Sequence, residues 1–484
     1  MSVNLLDFKP QVVWKHFDAI RQIPRESKHE KAAGDYVVSY AKEHNFGYER
    51  DEVGNVVVRV PATPGHESAA TVILQGHLDM VCEKNSNVNF DFAKDAIRVR
   101  QEGDWLYAQG TTLGADNGIG VAAALALGED PSVVHGPLEL LFTIDEETGL
   151  TGAARLKPDF LKGEVFLNLD SEEEGIFTIG CAGGADTQFL LDLKNDTSFT
   201  GKYVKIAVSG LKGGHSGIDI DKNRGNALKF MVRLLWPAME KYSFRLADIQ
   251  GGSKRNAIPR EIFAELIVAG DDFAAMKKDL GTSFADLRFE YKSVEKNAKL
   301  TIEELNGSPK KMMDETTQKN LLNFLFALPH GVLNMSADIP DLVETSANLA
   351  TIKTGDDKIE IGVSTRSSVN SALEATRQML CALADLAQAQ VDQPEGYPGW
   401  TPNLDSKILT IVKKTYETVA GKKPEVQAIH AGLECGIIGE NYPGMDMISL
   451  GPQIESPHSP DERVHIPSVE NFWHFLKETL KELA

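Results

Sequence analysis

At 484 residues, with 42% hydrophobic and 25% charged residues, the chain exceeds the size at which one core keeps growing, so two or three domains are expected and a membrane-embedded protein is excluded. Seventy acidic residues against fifty basic ones leave a formal charge of -20, which argues against nucleic acid or an anionic membrane as partner. That acidity is compatible with a local carboxylate cluster offset by a cation.

The N-terminal stretch Met1–Asp7 lacks the basic and apolar regions of a signal peptide, and no apolar run reaches the length of a membrane span, so a cytosolic location is expected. From there to about residue 185, helical and strand patterns alternate. Helices are predicted near 10–21 and 28–44, and strands at 55–60, 71–75, 138–144 and 165–169. Alternation of this kind signals an α/β domain. Thr71–Leu74 and Val165–Leu167 are almost continuously apolar, as central strands covered on both faces should be.

Beyond Gly201 the strands lengthen and alternate (203–208, 262–268, 347–352, 358–363), with helices near 221–241, 314–327 and 370–390, a pattern of the α+β type. A Pro/Gly cluster at 393–399 reads as a linker. After it come a helix, a strand at 445–450, and a closing helix for which Ser468 is the expected N-cap. This last segment is too short and strand-poor to fold alone, so it is placed back in the first domain. The catalytic domain is then 1–186 with 399–484, and 187–398 is an insertion.

Ligands of open α/β sheets bind beyond the carboxyl ends of the strands, and here those ends carry charge. The strand at 71–75 leads into His77 and Asp79, the strand at 138–144 into Asp145, Glu146 and Glu147, and the strand at 165–169 into Asp170. Asp116, in Gly114-Ala115-Asp116-Asn117-Gly118, precedes a small-residue helix from Ile119 to about Leu127 and falls near the same rim. Taken singly, Asp116 would be a helix cap and 145–147 a solvated turn. Together, so many carboxylates would repel and raise one another's pKa unless a cation joins them. Cys82, Cys181, Cys381 and Cys435 are dispersed with no CxxC pair, so any metal must use histidine and carboxylate, a set suited to zinc, cobalt or manganese.

Two competing motifs are weaker. Gly118–Ala123 fits a dinucleotide-binding fingerprint, which would make the chain an oxidoreductase, but no strand precedes it, and its glycines are better explained by close helix packing. Gly214-His215-Ser216-Gly217-Ile218 lacks the final glycine of a nucleophile elbow. His16, His44 and His474 fall on predicted helices and are read as packing or surface residues.

His77-Leu78-Asp79, Gly114–Gly118, Glu146-Glu147, Asp170 and Ser456-Pro457-His458-Ser459, in this order and spacing, resemble the M20 family of metallopeptidases. The GADNGIG form, the 210–217 loop and His430–Gly436 are similar to its bacterial aminoacyl-histidine dipeptidase branch, often called peptidase D. The resemblance covers essentially the whole chain. It implies a catalytic domain with a central mixed sheet flanked by helices, and an inserted α+β lid used for dimerisation. It also implies two zinc ions per subunit, with Co2+ or Mn2+ as possible substitutes. His77 and Asp170 would hold one ion, Glu147 and His458 the other, and Asp116 would bridge them. Asp79 would orient His77, and Glu146 would be the general base.

In the lid, His215 would stabilise the tetrahedral intermediate, reaching the partner subunit's site, while Asn256 and Arg366 would contact substrate, Arg366 its carboxylate. The expectation is a cytosolic homodimer that hydrolyses unblocked dipeptides, preferentially Xaa-His such as carnosine. The alternatives are a tripeptidase or N-acyl amino acid amidohydrolase using the same metals, or a non-catalytic binding protein of the same fold.

Overall fold

The computed structural model of the protein describes residues 3–484. It divides into two compact units, one running to Cys181 and continuing with Pro402–Ala428 and Leu433–Ala484, the other comprising Ala182–Thr401 and Ile429–Gly432.

The first unit is built on an eight-stranded mixed sheet. At its centre Val72–His77 lies parallel to both Leu138–Thr143 and Val165–Asn168, and Asp446–Ser449 runs parallel to the latter. Antiparallel strands at Gly47–Arg50, Val56–Val60 and Ile176–Cys181 complete the mixed pattern. All six residues of Val72–His77 and of Leu138–Thr143 are buried, as the apolar runs require of strands covered on both faces. Helix Ala115–Glu129 is buried from Ala115 to Leu127, and Gly118 and Gly120 permit this: a Cβ at Gly120 would lie 2.4 Å from the Leu169 carbonyl oxygen, and one at Gly118 would lie 3.1 Å from the Phe17 ring. A small antiparallel sheet pairs Val99–Glu102 and Trp105–Ala108 with Arg463–His465 and Ile454–Glu455.

The second unit is a nine-stranded sheet, antiparallel throughout its observed pairings, whose core also receives side chains from helices Ala227–Met239, Phe273–Glu290, Glu315–Ala327 and Asn370–Ala387. The 18-residue helix Phe273–Glu290 was not expected from sequence: its mixed polar surface buries only Met276, Leu280, Phe284 and Leu287. Helix Ala227–Met239 begins later than the predicted 221 because Asn226 caps it, accepting the N–H groups of Leu228 and Lys229.

Ser468 is not the N-cap of the last helix. That helix starts at Ile466, with His465 in the capping position and Pro467 in its first turn. Ser468 lies inside it, donating to the His465 carbonyl and accepting from Gln453 N–H. Proline is well suited to a first helical turn and moves the start upstream of the serine. No helix among the described residues is long and apolar enough to cross a membrane.

Candidate metal centre

The carboxyl ends of the parallel strands in the first unit bring His77, Glu146, Glu147 and Asp170 together; the irregular start of helix Ala115–Glu129 adds Asp116, and a loop adds His458. His77 ends its strand. The residue before it is glycine, and a Cβ there would lie 2.2 Å from Asn117 Oδ1 and force that side chain to move. After Thr143 the chain turns sharply at Asp145, in the left-handed region at φ 50°, and the carboxylate of Asp145 accepts the hydroxyls of Thr148 and Thr151. This turn aims Glu146 and Glu147 inward. Asp116 lies within helix Ala115–Glu129 but has φ -78° and ψ 114°, and with Asn117 it interrupts the helical path at the rim.

Among the described residues, two donor groups with ligand atoms within 4.8 Å of one another contain Asp116: His77 with Asp116 and Asp170, and Asp116 with Glu147 and His458; His77 also lies within that distance of Glu146 and Glu147. Asp116 belongs to both. Its Oδ1 is 3.1 Å from His77 Nε2, and its Oδ2 is 3.1 Å from His458 Nε2. Asp170 Oδ1 lies 3.3 Å from His77 Nε2 and Glu147 Oε2 lies 3.0 Å from His458 Nε2. Asp79, fully buried, sits 3.3 Å from His77 Nδ1 and accepts the Ser27 hydroxyl and the N–H groups of Glu146 and Glu147.

The electrostatics fit a cation. Burial opposes protonation of His77, but Asp170, Asp116 and Asp79 outweigh it and lift the imidazole well above its usual value. Hydrogen bonds to Asp116 and Glu147 push His458 up to about 11. Burial lifts the Asp170 carboxyl to about 6, with Asp116 and Glu147 adding to the rise against His77. Glu146 is also held well above a normal carboxyl, first by burial and then by Asp170, Glu434 and Glu147, with His77 opposing. Opposing shifts of this kind among so many close carboxylates and two imidazoles favour a bound cation. Glu147 Oε1 is buried without a hydrogen-bond partner, and Asp170 Oδ1 has only the ion-pair contact to His77, so acceptor capacity is left for a metal.

Sequence reasoning missed three supports. Glu462 accepts backbone N–H groups along 113–116. Buried Arg25 donates to the carbonyls of Leu78, Asp79 and Gly114. Glu172, lifted to about 8 by burial and then by Asp116 and Asp170, adds a further carboxyl. None had a local signal, because each acts through distant backbone or through burial. Glu434 accepts from Gln75 Nε2 at 2.6 Å and from Thr143 Oγ1 at 2.8 Å, its other oxygen having no partner.

The second unit carries His215, Asn256 and Arg366. His215 pairs with Ala257 in a two-stranded ladder, and its Nδ1 accepts the N–H groups of Gly217 and Ile218, which leaves Nε2 as the donor nitrogen. Asn256 is exposed, and its carbonyl accepts from Ser216 N–H. Arg366 is buried and donates to the Tyr397 hydroxyl at 2.8 Å. His430 lies in the same unit, with Nε2 2.7 Å from the Ser346 hydroxyl; burial and then Arg366 push it down to about 4.

Residues 73–482 match the model of peptidase family M20/M25/M40. The chain belongs to that family. The M20 chain is 43% identical over 481 residues to the cytosol non-specific dipeptidase of Escherichia coli K12, with 99% of each covered. It superposes on the crystal structure of aminoacylhistidine dipeptidase from Vibrio alginolyticus with a TM-score of 0.93 and 41% identity, covering 99% of this chain and 98% of that one. Aminopeptidase PepT of Bacillus cereus shares the fold at 14% identity, with a TM-score of 0.57 over 98% of this chain and 99% of that one.

Proposed function

We propose that this M20 peptidase is a cytosolic, homodimeric zinc dipeptidase acting on unblocked dipeptides, Xaa-His dipeptides such as carnosine foremost. The observation that carries the reading is the sharing of Asp116 between two donor groups, one oxygen toward each histidine, with a buried acceptor on Glu147 left unpartnered. In this reading His77, Asp170 and Asp116 hold one ion, and Asp116, Glu147 and His458 the other. Bound there, the pair would supply Lewis-acid polarisation of the scissile carbonyl and acidify the attacking water.

Glu146, raised in pKa and carried beside Glu147, takes the water's proton and delivers it to the leaving amine. Asp79 fixes the His77 ring through Nδ1. Glu434, with one buried oxygen unpartnered, is suited to a substrate's free ammonium group. In the second unit, read as the lid and dimerisation domain, His215 donates from Nε2 to the developing oxyanion. There Arg366 holds the substrate's terminal carboxylate and Asn256 its backbone.

Dipeptide hydrolysis is supported by the names of the Escherichia coli and Vibrio relatives, one called non-specific and the other aminoacylhistidine. A panel of free dipeptides, carnosine, tripeptides and N-acetylated amino acids tests the substrate class. Free dipeptides are expected to be hydrolysed fastest, with Xaa-His leading. Faster cleavage of blocked substrates would reject the dipeptidase reading, and equal rates across dipeptides would reject the histidine preference alone.

A further inference from the structure

One buried carboxylate holds the whole loop that carries Asp116. Glu462, 2% exposed, accepts four consecutive backbone N–H groups: Leu113 at 2.7 Å and Gly114 at 3.0 Å on Oε2, Ala115 at 2.8 Å and Asp116 at 3.3 Å on Oε1. Successive N–H groups converging on one point form an anion-binding concavity, and here it is filled by the protein's own carboxyl group. On the other side of the same peptide, Arg25 donates to the Gly114 carbonyl and to those of Leu78 and Asp79, just beyond His77. Gly114, at φ 69°, cannot carry a side chain between them, since a Cβ would lie 2.5 Å from Arg25 Nη2.

Glu462 is also part of the loop that presents His458. Its N–H donates to the Ser459 carbonyl, the Ser459 hydroxyl donates to the Ser456 carbonyl, and Asp461 N–H donates to that hydroxyl. His458 itself is held at φ 59°. A single side chain therefore ties the segment bearing His458 to the segment bearing Asp116, although 342 residues separate those two in sequence.

We propose that Glu462 is a positioning residue that locks the Asp116 and His458 loops into one unit, so that the donor group Asp116–Glu147–His458 forms cooperatively rather than from two independently mobile loops. The inference rests on the ligand roles proposed above. In place of Glu462, glutamine would keep the volume but turn an NH2 group toward N–H donors, and aspartate would keep the carboxyl at a shorter reach.

The full-length chain, stripped of metal and titrated with zinc against a chelator, tests this, with amide hydrogen exchange read on the same samples. Glu462→Gln should weaken the second zinc equivalent by at least about tenfold, a loss of the size seen when a residue orienting a metal ligand is removed. It should also speed exchange at 113–116 and 456–462 together, while the Val72–His77 and Leu138–Thr143 strands stay protected. Glu462→Asp should fall between glutamine and wild type. A loss of zinc affinity in Glu462→Gln smaller than about tenfold would overturn the proposal. If neither variant folds, wild type decides: protection of 113–116 and 456–462 should rise at the same zinc concentration, and responses at separate concentrations would overturn the coupling. His458→Ala is the control for the ligand roles. If it binds both zinc ions as wild type does, the ligand reading fails rather than the coupling.

Discussion

The carboxylate of Asp79 accepts the backbone N–H of Glu146 at 3.1 Å while facing His77 Nδ1 at 3.3 Å. One buried side chain thus orients a proposed metal ligand and fixes the turn that carries the proposed base. Asp79→Asn keeps the size but replaces an acceptor oxygen with an NH2 group that faces N–H donors. Metal affinity measured by chelator competition should fall by about 10–100-fold, the range for residues that orient a ligating histidine. Unchanged affinity would remove Asp79 from that role.

Glu146→Ala separates chemistry from binding. In the proposed mechanism Glu146 moves the proton and holds no metal, although its carboxylate lies close to His77 and Glu147, so the variant should keep its metal content. Turnover should drop by roughly 10²–10⁴-fold, the usual contribution of a positioned general base. Wild-type kcat in this variant would eliminate Glu146 as the base.

A pH effect is expected away from the centre. Glu129 ends helix Ala115–Glu129, where the helix dipole disfavours a negative charge, and the Lys15 ammonium compensates with Nζ at 2.9 Å. Two imidazoles also face the carboxylate, His16 Nε2 at 3.3 Å and His44 Nε2 at 3.1 Å. The hydrogen bond to His16, then that to Lys15, lower its pKa from 4.5 to about 2 against the effect of burial. A carboxylate depressed in the folded state contributes stability above its unfolded value and loses it as pH falls toward the folded one. Glu129→Gln should therefore melt below wild type at pH 7, with the difference shrinking from about pH 4.5 and gone near pH 2. Parallel melting curves at all pH values would contradict this.

Much of the candidate centre was legible because the residues proposed as its ligands sit at the ends of strands that announce themselves. The apolar runs at 72–74 and 165–167 can only be buried strands, and charges directly after buried parallel strands fall at one rim. His77, Glu147 and Asp170 needed no more than that. What holds them was not legible, because it is carried by pairs far apart in sequence: Glu462 meets Leu113 across 349 residues, and Glu434 meets Gln75 across 359. A lone glutamate in a loop has no pattern to separate it from a solvated one. The Ser468 cap failed for a local reason, since serine and proline both signal helix starts and Pro467 takes precedence by position. In the second unit, the helix Phe273–Glu290 escaped because its buried stripe is narrow.

The central claim is that Asp116 joins two metal sites on which dipeptide hydrolysis depends. Carnosine hydrolysis with metal analysis on the same sample, before chelation, after it and after adding zinc back, tests that claim most directly. Two zinc ions per chain are expected, with activity lost on their removal and restored in step with their return. Undiminished hydrolysis by the metal-free chain would contradict the account.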